Sequence, residues 1–202
     1  MNDSLRIASQ QLGRMRGMNR FYHERFFADV RFTTAATIAL IVAGAWADPI
    51  AFLLVPPVAL IGAVQTAFDA SYLIFARHYS TVLEQKINEA SSSNVLVAHE
   101  MENSYLFPLN DRKIVTASFG PAFSWFGFVT LFYTALGVIA FGFGLALGWN
   151  TLIDAGSGWT VAYLGALGTL TVAGLITGLW WFVGGTGERR LAAALENVTL
   201  TR

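Results

Sequence analysis

The residues best suited to chemistry in this 202-residue chain cluster at His99, Glu100, Glu102 and Asn103. A histidine beside carboxylates is what general acid–base catalysis or a divalent metal draws on. A zinc-hydrolase helix needs a second histidine four residues after the first. Asn103 holds that place, so the cluster reads as a solvated polar segment. His99, Glu100 and Glu102 would be the acid–base candidates only if the chain were an enzyme. The absence of cysteine removes thiolate nucleophiles and sulfur-ligated metals. Gly184, Gly185, Thr186 and Gly187 lack the lysine and strand of a phosphate-binding loop and read as a flexible exit from a helix. No residue is assigned to catalysis, cofactor or metal, and the expectation is a non-enzyme without a cofactor.

The elements that hold these residues follow from charge patterning. Only 13% of the residues are charged and 54% are hydrophobic, against about 25% charged in soluble domains. Residues 32–47, 49–68, 114–153 and 155–187 contain no Asp, Glu, Lys or Arg. A spanning helix needs about 20 largely apolar residues. These runs predict four transmembrane helices, the third over about 121–148 and the fourth over about 159–183. The fold class is therefore an all-α polytopic membrane protein. The spans hold no Asp, Glu, Lys, Arg or His, which argues against proton relays and ion-coupled carriers. Gln65 is the conspicuous polar residue among them. Its amide requires a partner helix or water at that depth.

All 13 Lys and Arg residues fall before the first run, between the second and third, or after the fourth. None lies in the connections around Asp48 and 150–158. By the positive-inside rule both termini face the cytoplasm, and the expected location is the plasma (inner) membrane. Small residues recur every fourth position: Ala35, Ala39, Ala43 and Ala47; Ala59, Ala63 and Ala67; Ala140, Gly144 and Gly148; Gly174 and Gly178. This spacing lets helix backbones approach closely. Gly144, Gly148, Gly174 and Gly178, together with Gln65, are therefore candidate packing or pore-lining positions. Pro56 and Pro57 are expected to kink the second span.

The first two spans extend beyond the membrane. Leu5, Ala8, Leu12, Met15, Asn19, Tyr22 and Phe26 alternate at threes and fours, a heptad seam interrupted by Asn19. After the second span Phe68, Tyr72, Phe75, Tyr79, Val82 and Ile87 form a second seam, in a helix expected to end near 90–94. A helical hairpin standing in the cytosol results, with Asn19, Tyr72, Arg77, Tyr79 and Glu84 as candidate interface residues. Val95, Leu96, Val97 and Ala98 read as a short strand or extended packing segment. Arg77, Tyr79, Leu83, Glu84, Ile87 and Asn88, followed by Val95–Val97 and His99–Glu100, resemble a juxtamembrane pattern of uncharacterised bacterial four-helix membrane proteins. That resemblance spans roughly residues 70–107 and implies the fold but no activity. The hairpin layout also resembles, in topology alone, two-span effector domains of bacterial immunity systems.

The expected organisation is a heptad helix at 1–31, a membrane hairpin at 32–68 and a cytosolic extension at 69–116. A second membrane hairpin at 117–183 and a tail at 184–202 complete it. The function expected is a non-enzymatic scaffold or partner subunit in the lipid bilayer, self-associating and presenting a cytoplasmic surface to a protein partner. The alternative is an oligomeric ion channel or permeabilising effector gated by the hairpin. A carrier of small apolar solutes or lipid is a third reading. Nucleic acid is not an expected partner, since the basic residues lack a base-stacking platform.

Overall fold

A computed structural model describes residues 3–105, 113–114, 117–118 and 125–195. The first helix, α1, runs Asp3–Trp46. Pro49 stops it, because a residue before proline is pushed out of the helical region; Asp48 is extended at φ −146° and ψ 120°. The Asp48 carboxylate accepts from the Ile50 N–H at 2.9 Å and so caps a short 3-10 helix, Pro49–Leu54. Helix α2 then runs Val55–Ser91, α3 Ala98–Tyr105, α4 Trp125–Asp154 and α5 Ser157–Gly178. A π-helical turn, Leu179–Val183, leads to α6, Thr186–Leu195. Strands β1, Lys113–Ile114, and β2, Ala117–Ser118, make one minimal antiparallel ladder pairing Lys113 with Ser118.

Four helical stretches are long and apolar enough to cross a membrane: Asp3–Trp46, Pro49–Ser91, Gly127–Asp154 and Ser157–Val183. The expectation of an all-helical chain with four such helices therefore stands. The third helix reaches Asp154 rather than stopping near 148, because nothing before Ala155–Gly156 breaks it. Gly156 turns the chain at φ +101°, and the Thr160 hydroxyl bonds back to the Leu152 carbonyl at 2.9 Å. The expected start of that helix at Pro121, and Asp111 and Arg112, lie outside the described residues.

At Pro56–Pro57 the chain passes from the 3-10 turn into α2. Both prolines sit in the first turn of α2, where a missing N–H interrupts no hydrogen bond within the helix. The cost falls on the carbonyls before them: Leu53 would normally be served by the N–H of residue 56 or 57, and neither exists.

The chain forms two compact units. The apolar unit comprises Phe26–Ala67 and Leu131–Leu179; the polar unit comprises the residues up to Arg25, Phe68–Thr130 and those from Trp180 onward. In the apolar unit small residues make the contacts. Gly44 meets the Phe52 ring and Gly62 meets Thr33, as the antiparallel turn at Asp48–Pro49 requires. A Cβ on Gly144 would lie 2.6 Å from Val55 Cβ and 2.9 Å from the Phe52 carbonyl oxygen. Gly148 sits as tightly on Leu53, where a Cβ would lie 2.9 Å from its Cγ. The Tyr163 hydroxyl donates to the Leu53 carbonyl at 2.7 Å, supplying the donor that Pro56 and Pro57 lack.

The remaining candidate packing positions differ in their surroundings. Ala35, Ala39, Ala47 and Ala63 are exposed, and no atom stands within 4 Å of a Cβ built on Gly174 or Gly178. The small-residue spacing marks a packed face on α4 but not, within one chain, on α5. Gln65 is half-buried, and among the described residues no hydrogen bond joins its amide to another helix.

Candidate functional site

In the polar unit the residues of the first seam from Leu5 to Tyr22 are all buried or half-buried, with Ala8 3% exposed. The second seam is corrected. Phe68, Tyr72 and Phe75 are exposed, whereas Asp69, Ala70, Leu73, Ile74, Ala76, Arg77, Ser80, Leu83 and Glu84 are buried. That set also recurs at threes and fours, so α2 buries the face carrying its charges. Tyr72 stacks at the edge of this interface on Tyr22, with centroids 4.5 Å apart and planes at 12°.

Buried charge demands partners, and they come from two other helices. Glu84, 1% exposed, receives the Arg16 guanidinium on one oxygen. Its other oxygen accepts from the His99 backbone N–H at 3.0 Å and faces the His99 Nδ1 at 2.9 Å. Arg16 also donates to Glu102 at 2.8 Å. Glu102 in turn meets Arg77 Nε at 3.3 Å, and Arg77 donates to the Asn103 side chain at 3.2 Å. The chain of contacts runs His99, Glu84, Arg16, Glu102, Arg77, Asn103, joining α1, α2 and α3. Two arginines balance two glutamates. Farther along α2, Asp69 pairs with Arg25 at 3.4 Å.

The segment leading to α3 is fastened in the same way. Helix α2 ends in a Schellman motif: Ser92 adopts φ 51°, the Ser93 N–H reaches the Asn88 carbonyl at 3.1 Å, and the Ser92 N–H reaches Glu89 at 3.3 Å. The Asn88 side chain then bonds the backbone of Leu96 from both sides, at 2.8 and 3.0 Å. Residues 95–97 form no strand and are held at Leu96 by Asn88, with Val95 exposed, and Ala98 already belongs to α3. No side chain described in α3 is fully buried; its attachments are polar.

Electrostatics follow the geometry. Burial alone would raise the Glu84 carboxyl, but hydrogen bonds from Arg16 and His99 outweigh it and hold the pKa below the ordinary value. Burial lowers the Arg77 guanidinium, partly opposed by Glu102. A carboxylate held low and already occupied on both oxygens is a poor proton acceptor. The arrangement suits a structural clasp better than an acid–base pair. Among the described residues no three His, Asp or Glu side chains converge on a metal-sized site.

His99 and Glu102, expected in solvent, are therefore drawn into the clasp, while Glu100 stays exposed. Arg77 and Glu84, expected on an interface, are interior residues. Tyr79 and Asn19 are half-buried and stand apart from this chain of contacts. Nothing in the residue spacing points to Arg16 or Tyr163, and Asn103 reads from the sequence only as a missing ligand. The orphaned Leu53 carbonyl, legible from Pro56–Pro57, is the signal that leads to Tyr163.

No protein-family model, curated protein or solved structure matches this chain.

Proposed function

We propose that the chain is a self-associating membrane scaffold without enzymatic activity. In this reading both termini face the cytoplasm of a plasma (inner) membrane, and the hairpin and α3 present a surface to a protein partner. The open small-residue face of α5 carries the reading. Gly144 and Gly148 on α4 are filled by neighbours, whereas Gly174 and Gly178, one turn apart on α5, meet nothing within 4 Å. Little of the third and fourth spans is buried, 6% of the most apolar stretch of each. Close backbone approach is the main way such helices associate in lipid. The clasp adds support, because its ionisable groups are engaged with one another.

Counting photobleaching steps of the labelled full chain in native membranes tests this. Several steps per spot are expected, falling to one on Gly174→Leu with Gly178→Leu. Single steps for the unaltered chain overturn the reading.

A further inference from the structure

Helix α6 and the turn before it form a second built region of the polar unit. Trp181 donates its indole N–H to the Ser71 hydroxyl at 3.2 Å. Gly187 lies flat on the Trp181 ring, so close that a Cβ would come within 2.8 Å of it. Gly185, at φ +62°, turns the chain into this contact, and its carbonyl accepts the Arg189 N–H at 3.0 Å. With Trp181 fixed, its neighbour Trp180 points outward, 52% exposed. The Arg190 guanidinium lies over the Trp180 ring, 5.7 Å from its centroid. Arg189 is also exposed, its Nη2 3.5 Å from the Thr186 hydroxyl. Among the described residues neither guanidinium has a carboxylate within ion-pair reach.

An outward indole stands in the last turn of an apolar span, and two adjacent cations follow that span. Only Gly184 and Gly185 separate the turn ending at Val183 from Thr186. Three Cα steps reach at most about 11 Å, and the headgroup layer is about 5–7 Å deep on each side. The first turn of α6 therefore starts in or beside the headgroups. Tryptophan prefers that depth, and guanidinium binds phosphate oxygens through its planar fork of donors. We propose that Arg189, Arg190 and Trp180 form a binding surface for anionic phospholipid headgroups. Trp180 lies along the acyl boundary and holds Arg190, and the two guanidiniums receive the lipid phosphate. This holds whichever leaflet α6 occupies, and it does not depend on self-association.

The test is electron spin resonance of spin-labelled phosphatidylglycerol and phosphatidylcholine with the full chain in bilayers. The unaltered chain should hold phosphatidylglycerol preferentially. Arg189→Gln with Arg190→Gln should weaken that preference about 10- to 30-fold. The Lys–Lys variant should retain most of it, separating charge from folding. Arg14→Gln, an exposed arginine on α1, should leave it unchanged. Preference undiminished in the Gln–Gln variant, or lost equally in Arg14→Gln, overturns the proposal.

Discussion

The two units solve opposite burial problems. The polar unit buries Asp69, Arg77 and Glu84 on one face of α2 and answers each with an opposite charge from elsewhere in the unit. The apolar unit makes its close contacts with glycine, and satisfies an orphaned carbonyl with one tyrosine hydroxyl. Where water is near, an interior charge is tolerable if paired. At lipid depth even a single carbonyl without a donor is costly, and close backbone contact replaces side-chain interdigitation. The helices α1 and α2 contribute to both regimes, so the same secondary structure carries two packing chemistries.

The largest effect expected from breaking this contrast is in the clasp. Glu84→Ala leaves Arg16 with one partner and strips the His99 N–H of its acceptor. Losing one member of a buried pair typically costs about 3–5 kcal/mol, read as unfolding free energy in bicelles. Titration approaches the same loss. Because Glu84 titrates lower in the folded chain, its contribution is complete above the ordinary carboxylate pKa and disappears as pH falls through the depressed folded value. Protection of the His99 amide from hydrogen exchange should fall over that acid window, and a Glu84→Gln chain should lack this component.

The apolar unit should answer to shape. Gly144→Leu drives side-chain atoms into Val55 and the Phe52 carbonyl and is expected to cost about 1–3 kcal/mol. Gly174→Ala meets open space and should leave unfolding free energy within about 1 kcal/mol of the unaltered chain. Tyr163→Phe removes the donor to Leu53 and should cost about 1–2 kcal/mol. Pro57→Ala, which restores a backbone N–H four residues after Leu53, should suppress much of that loss. At the end of α2, Ser92→Gly relieves a left-handed conformation and should gain about 1 kcal/mol.

Much of the fold was legible in residue order. Charge-free runs gave the long apolar helices, Asp48–Pro49 gave the turn, and the heptad spacing found the inward face of α1. The inward face of α2 was hidden because aromatic residues share its periodicity, and Arg77 and Glu84 were legible only as candidate interface residues. Their partners cannot be seen locally: Arg16 is 68 residues from Glu84, and Tyr163 is 110 from Leu53. The glycines show a related gap. Spacing marks Gly144, Gly148, Gly174 and Gly178 alike, but among the described residues the first two alone meet neighbours.

The claim that buried charges in the polar unit hold helices together is tested most directly at Arg77 and Glu102. The measurement is a double-mutant cycle on unfolding free energy in bicelles, using Arg77→Leu and Glu102→Leu. A structural clasp predicts that each single change costs about 3–5 kcal/mol and that the double change costs clearly less than their sum, Arg16 still losing its bond to Glu102. Single changes costing less than about 1 kcal/mol, as for exposed ion pairs, with no coupling between them, would contradict it.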